Sequence, residues 1–283
     1  MQPDRFETTP PPAPPPEGPP RKPPREPAFN LPGVVVACIG LIVAIHAIVG
    51  LMGLEGRFGI LVYFGFVPAL WTTWLDADAT SEIARRILEG DPIAMQRDMG
   101  FARIVMQEGS GGVWTALTYA FLHGSWMHVG LNAVWLAAFG TPIARRLGPE
   151  RFLWLAALAA IAGALMHWAT HAYDVTPMIG ASAVVSGMMA ASARFAFTPR
   201  GFGWLPPHLA PRLGLGEMLR NRTAMLFIGV WLAINLVFGV AAVPLGLADG
   251  GGIAWEAHVG GFLAGLLLFP WFDPSPRPPR DLA

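Results

Sequence analysis

Gly180-Ala181-Ser182-Ala183 opens an apolar segment that runs to about Phe197. A serine between small residues fits a tight turn with an unhindered hydroxyl, and the first turn of a following helix carries backbone N–H groups without intrahelical acceptors. Small residues also let membrane helices pack closely. Taken alone, this stretch is compatible with a nucleophile or with plain helix packing.

The composition restricts the protein class. Of the 283 residues, 53% are hydrophobic and 13% are charged, whereas about 25% charged is usual for soluble domains. A formal net charge of zero argues against a nucleic-acid partner, which would require a basic excess. The single cysteine, Cys38, lies in an apolar run, which excludes a disulfide framework and a cysteine-based metal site. These features predict a polytopic membrane protein.

Six apolar runs have the composition of helices that cross a hydrocarbon layer of about 30 Å. We therefore predict an all-α polytopic membrane protein, a six-transmembrane-helix bundle. The predicted spans lie at about 34–54, 127–144, 152–170, 183–197, 224–243 and 253–270.

The remaining segments differ in character. Residues 1–32 are rich in proline and are predicted to form a disordered cytoplasmic tail, residues 33–272 form the membrane domain, and residues 273–283 form a cytoplasmic C-terminal tail. The 55–112 connection is predicted to be a structured outer loop at the membrane interface, because it contains a short apolar piece and an amphipathic pattern around Ile83 and Ile87.

Basic residues indicate the orientation. With the N-terminus inside, arginines cluster in the inner segments, and the outer loops after the third and fifth spans contain no Lys or Arg. We expect both termini in the cytoplasm.

The second, fourth and sixth spans then enter the membrane from outside, and each carries polar residues near its outer end. His128 and Asn132 share a helix face at i, i+4, Ser182 begins the fourth span, and His258 lies on the sixth. At a rise of about 1.5 Å per residue, His258, Ser182 and Asn132 each lie roughly 18–22 Å from the inner end of their helix. Buried polar groups at one depth predict a site.

Acyl transfer is the chemistry that these side chains favour. Ser182 is the candidate nucleophile and His258 the candidate base, since a neutral imidazole can accept the hydroxyl proton near neutral pH. His128, Asn132 and the Ser182 N–H are candidate oxyanion donors. No acidic third member is found on these helix faces, so the prediction is a dyad.

A close helix contact has to bring the dyad together. His258, Gly261 and Gly265 share a face at i, i+3, i+7, and Gly261-x-x-x-Gly265 permits close backbone approach. Ser182, Ser186 and Ala190 are predicted to form the facing small-residue surface.

From Gly33 to Phe272 the chain resembles the rhomboid intramembrane serine proteases. The matching motifs are His123-x-x-x-x-His128-x-x-x-Asn132, Gly180-Ala181-Ser182 and Ala257-His258-x-Gly260-Gly261-x-x-x-Gly265. The resemblance implies Ser182 as nucleophile, His258 as base and His128 with Asn132 in the oxyanion site. His123, Gly180, Gly261 and Gly265 are the implied supporting residues.

The resemblance also implies cleavage of single-span membrane proteins near the outer end of their spans, without cofactor or metal, in a bacterial plasma (inner) membrane. The chain departs from the family pattern at three positions. Ala183 follows the serine where glycine is common, Thr115 follows Trp114 where arginine is common, and Ser186 replaces an aromatic residue one turn past the serine.

Other functions remain open. One alternative is a catalytically silent rhomboid-like protein that binds single-span membrane clients, although Ser182 and His258 are both present. A transporter is disfavoured because transporter sites lie near the midplane. A zinc protease is disfavoured because the chain has no His-Glu-x-x-His motif. We interpret His167 and His171 as solvated, and Asn235 as a residue that hydrogen-bonds between helices.

Overall fold

The computed structural model describes residues 30–76, 78–89, 96, 99–105, 112–198, 207–237 and 254–274. Most of the two predicted tails and the loop after the fifth predicted span lie outside this range. Residues 99–105 are also helical, and short 3₁₀ segments occur at Tyr119–Phe121 and Pro207–Leu209. The helices are α1 Gly33–Leu51, α2 Leu54–Phe64, α3 Pro68–Leu75, α4 Ala79–Glu89, α5 Thr115–Thr118, α6 Trp126–Leu147 with a π-helical segment at Leu136–Gly140, α7 Pro149–Thr170, α8 Ser182–Ala196, α9 Leu215–Arg220, α10 Arg222–Leu236 and α11 Trp255–Phe272.

The predicted all-α class is confirmed. The described residues contain helices and one isolated β-bridge, between Phe66 and Met178, but no strand. Among them, α1, α6 and α7 are long and apolar enough to cross a membrane on their own, and α10 is a shorter apolar helix. The predicted fourth and sixth spans fall on α8 and α11.

Helix α8 packs backbone to backbone against α11. A Cβ atom at Gly261 would collide with the carbonyl of Ala183, and one at Gly265 would collide with the carbonyl of Gly187. A Cβ at Gly187 would lie 2.6 Å from that of Ala159 on α7. The glycine face of α11 is thus used, but its closest partners are Ala183 and Gly187 rather than Ser182, Ser186 and Ala190.

Buried charged side chains lie at the C-terminal ends of α6, α8 and α11. Arg194 is 2% exposed and donates to the carbonyls of Leu213, at 3.1 and 2.9 Å, and Leu266, at 2.7 Å. Arg146 forms a bidentate pair with Asp273, at 2.9 and 3.0 Å, in which both side chains are inaccessible to solvent. Asp273 was assigned to the C-terminal tail from the sequence, yet its side chain belongs to the packed interior.

The described residues of the 55–112 connection are structured, as predicted, and they are anchored to α5. The Trp114 indole donates to the Tyr63 carbonyl at 2.8 Å, and the Trp71 indole donates to the Thr115 hydroxyl at 2.9 Å. Thr115, one of the three departures from the family pattern, therefore helps to hold this loop.

The amphipathic pattern of the loop corresponds to α4. Ile83 is fully buried there. On the exposed face, hydrogen bonds from Arg85 and Arg86 lower the pKa of Glu82 to about 2. Ile83 and Ile87 thus face the protein and the ion pairs face water, whereas Leu88 is 76% exposed.

We expect Asp273→Ala to destabilise the protein strongly, because it leaves the Arg146 guanidinium buried without its carboxylate. Breaking a buried pair costs about 3–5 kcal/mol. Thermal unfolding of the purified protein in detergent measures the loss. Glu89→Ala, which removes an exposed partner of Arg85, is the control and should change the melting temperature little. Equal shifts for the two variants would contradict this account of the buried pair.

Candidate active site

Ser182 is the first residue of α8, and a constrained turn precedes it. Gly180 has φ +121°, a conformation that side-chain-bearing residues rarely adopt. Its N–H donates to the Tyr119 carbonyl at 3.0 Å, and the Ala181 N–H donates to His123 Nε2 at 3.4 Å. These contacts direct the start of α8 toward the site, where its first N–H groups have no acceptors within the helix.

His258 lies on the second turn of α11, and its Nε2 is 2.7 Å from the Ser182 hydroxyl oxygen. Its Nδ1 is 2.5 Å from Asn235 Oδ1 on α10. The Asn235 amide nitrogen donates to the Trp231 carbonyl at 2.8 Å, which turns its oxygen toward the imidazole. An oxygen acceptor at Nδ1 requires the proton there, so Nε2 is left as the acceptor for the serine hydroxyl.

His128 and Asn132 lie on the first turns of α6. The Ser125 hydroxyl caps this helix by accepting from the His128 N–H at 3.1 Å. The His128 ring lies beside the turn before the serine: a Cβ at Gly180 would be 2.7 Å from His128 Nε2 and 3.9 Å from Ser182 Oγ. Asn132 is buried, and its amide donates to the His128 carbonyl at 3.0 Å.

His123 contacts both His128 and the turn that precedes Ser182. Its ring packs edge-on against His128 with centroids 4.9 Å apart, and its carbonyl lies 3.0 Å from His46 Nδ1 on α1. Burial lowers the pKa of His123 to about 4, so the ring is neutral and accepts the Ala181 N–H. His123 thereby connects α1, the N-terminal end of α6 and the serine turn.

A cavity of about 490 Å³ leads to the serine between α6, α8 and α10. Its walls are mostly apolar, and its polar residues include Ser182 and His258. The apolar lining includes Leu131, Trp135, Val185, Val230, Trp231 and Ile234, and Asn132, Ser186 and Asn235 are further polar members. A mostly apolar lining with a few converging polar groups is typical of a binding site.

The sequence matches a known family model. The model described as the Rhomboid domain matches residues 110–272, more than half of the chain. The chain belongs to the rhomboid family. It is an integral membrane protein, consistent with its apolar helices.

Named relatives agree with this rhomboid assignment. The chain is 31% identical over 159 residues to "Rhomboid protease GlpG" of Serratia proteamaculans, and 30% identical over 159 residues to the proteins of that name from Yersinia pestis and Yersinia pseudotuberculosis. Each match covers 56% of this chain and 48% of the relative. The chain thus matches about half the length of these relatives.

Two departures from the rhomboid pattern have structural counterparts. The Ala183 methyl lies against the third predicted span at Gly163, where a Cβ would be only 2.5 Å away, so a missing side chain makes room for it. Ser186 lines the cavity in place of an aromatic ring. In this chain the hydrogen-bonding partner of His258 besides Ser182 is Asn235, which the sequence analysis assigned only a helix-pairing role.

The interpretation of His167 as a solvated histidine was wrong. His167 is 7% exposed, because the first turn of α11 covers it and places Glu256 beside it. His171, half exposed, stacks on the same ring with centroids 4.8 Å apart. The i, i+4 spacing of the two histidines was visible in the sequence, but the carboxylate that approaches them from another helix was not.

We expect Gly180→Ala to reduce labelling of Ser182 by a fluorophosphonate probe, because the added methyl meets His128 and the backbone strain amounts to about 1–3 kcal/mol. Gly148→Ala is the matched control: Gly148 also has positive φ, +78°, but open space around its Cβ. That variant should keep its labelling rate. Undiminished labelling of Gly180→Ala would show that the turn tolerates a side chain.

Proposed function

We propose that this rhomboid protein is an intramembrane serine endopeptidase that uses Ser182 and His258 as a catalytic dyad. The observation that carries the proposal is the 2.7 Å contact between Ser182 Oγ and His258 Nε2 at a mostly apolar cavity. A serine hydroxyl becomes a competent nucleophile when an adjacent base accepts its proton.

The reaction proceeds in two halves. Ser182 Oγ attacks the scissile carbonyl carbon while its proton passes to His258 Nε2, and the resulting tetrahedral intermediate collapses when His258 returns that proton to the leaving amine. Water then attacks the acyl-enzyme carbonyl while its proton passes to His258 Nε2. His258 returns the proton to Ser182 Oγ as the ester bond breaks, which releases the new carboxyl terminus. Asn235 holds the Nδ1 proton of His258 throughout, so the same nitrogen always faces the serine.

The intermediate places negative charge on the former carbonyl oxygen. The proposed donors to this oxygen are the Ser182 N–H, the His128 ring, which lies beside Gly180, and the Asn132 amide, which lines the same cavity as Ser182. In apolar surroundings such hydrogen bonds are stronger than in water. The proposed oxyanion site therefore needs only groups already held by α6 and α8.

The proposed substrates are single-span membrane proteins cleaved near the outer end of their spans. The cavity is mostly apolar, and apolar side chains beside it on α6 and α10 are exposed, among them Leu131 at 51% and Ile234 at 51%. Such surfaces favour an apolar segment that approaches from the lipid. With both termini in the cytoplasm of a bacterial inner membrane, the serine would lie toward the outer leaflet.

Cleavage of a model single-span substrate in proteoliposomes tests the dyad. We expect wild type to cut the substrate, and Ser182→Ala and His258→Ala to lose this activity. Ser192→Ala, which removes another buried serine of α8, and His208→Ala, which changes a loop histidine, are the controls and should stay active. Cleavage by the Ser182→Ala variant would contradict the proposed mechanism. An inactive wild type that also fails to react with a fluorophosphonate would favour the alternative of a catalytically silent protein that binds membrane clients.

Asn235→Leu is expected to lower kcat with little change in KM, because the cavity keeps its shape while the imidazole loses its orienting acceptor. A lost hydrogen bond of about 1–3 kcal/mol corresponds to roughly 5- to 150-fold. Asn235→Asp, which keeps an oxygen acceptor, should recover much of the rate, and Ile234→Leu on the same cavity wall is the control. If leucine and aspartate reduced kcat equally, orientation of His258 by the Oδ1 acceptor would be excluded.

A further inference from the structure

His167 and His171 at the end of α7, together with Glu256 on the first turn of α11, form a compact cluster apart from the dyad. His167 Nδ1 lies 3.9 Å from one Glu256 oxygen, and His171 Nε2 lies 3.9 Å from the other. Within the described part of the chain, this is the group of three potential ligands whose donor atoms all lie within 4.8 Å of one another. We propose that it is a binding site for a divalent transition metal such as Zn²⁺.

Hydrogen bonding leaves His167 unsatisfied. The residue is 93% buried, as its 7% exposure implies, and its Nδ1 has no hydrogen-bond partner among the described residues. A buried polar atom without a partner is costly, and buried carboxylates are normally paired or metal-bound. A cation between His167 and Glu256 would satisfy both groups.

The tautomer of His171 supports the same conclusion. The Thr170 hydroxyl has one proton, which it directs to the carbonyls of Met166 and His167 at 3.1 Å each. With that proton on a carbonyl, the hydroxyl oxygen, 2.9 Å from His171 Nδ1, is the acceptor for an N–H at that nitrogen. Nε2 of the neutral ring then carries a lone pair, and it faces a Glu256 oxygen. Two acceptors facing each other require a cation or a proton between them.

The distances and the donor set suit zinc. Zinc binds imidazole nitrogen and carboxylate oxygen at about 2.0–2.2 Å, which separates tetrahedral ligands by about 3.3–3.6 Å. The two 3.9 Å separations exceed this by a few tenths of an ångström, and donor pairs as far as 4.8 Å apart have to approach by up to about 1.5 Å, which side-chain rotation can supply. Histidines at i, i+4 with a carboxylate from elsewhere leave a fourth position for water, and the His171 side chain, 39% exposed, opens the site to solvent.

A metal at this cluster would also stabilise the helix that carries His258. Glu256 lies two residues before His258, so a metal held by α7 and Glu256 would fix the first turn of the helix that carries the proposed base. It would tie α7 to α11 at the end of the bundle where the active site lies. Metal binding at this cluster does not depend on the proposed peptidase activity.

Titration of the purified, chelator-treated full chain with Co²⁺ and Zn²⁺ in detergent tests the proposal. We expect one Co²⁺ per chain with the visible spectrum of a tetrahedral site, displaced by Zn²⁺, and X-ray absorption of the zinc form should show two imidazoles. His171→Ala and Glu256→Gln should weaken binding by more than about 100-fold, since changes to outer-shell partners alone cost 10- to 100-fold. His208→Ala is the control and should bind normally.

The histidines near Ser182 are the competing site. His258→Ala should retain the metal if the cluster at His167, His171 and Glu256 holds it. Loss of binding in His258→Ala with retention in His171→Ala would overturn the proposal, as would the absence of stoichiometric binding to the wild type.

Discussion

The close contact between α8 and α11 is the constraint on which the rest of this structure depends. Gly261 and Gly265 let the backbone of α11 rest on the carbonyls of Ala183 and Gly187. In an apolar environment helices gain little from hydrophobic exclusion, so packing at this distance has to stabilise the pair. The same contact sets the separation of the two helix axes, and the serine and histidine lie within hydrogen-bonding distance because of it.

The buried guanidinium groups of Arg194 and Arg146 are tolerated because each has specific partners. Arg194 reaches carbonyls of two other segments, and Arg146 pairs with Asp273 across the end of the bundle. Unpaired, such groups would cost several kcal/mol. At the active-site end the same need for partners determines chemistry, since the Trp231 carbonyl orients Asn235, and Asn235 selects the His258 tautomer.

The loop that contains Phe66 and the serine turn are likewise interdependent. Phe66 and Met178 exchange backbone hydrogen bonds at 3.1 and 2.8 Å, and His123 accepts from Ala181 while its carbonyl meets His46. The turn that presents Ser182 is thus held by the loop on one side and by α1 and α6 on the other. A nucleophile at a helix start needs such support, because the turn before it has no helical hydrogen bonds of its own.

The sequence by itself determined the all-α membrane class and the glycine face of α11, and it predicted a set of polar residues at one depth, because composition and helical periodicity are local properties of a chain. It suggested Ser182, His258, His128 and Asn132 as one cluster for the same reason. Only the tertiary structure decided which groups touch: Asn235 on His258, Asp273 on Arg146, and Glu256 beside His167. These pairings depend on how far each helix is rotated about its axis and on which rotamers the packing allows, and no pattern within a single helix specifies either.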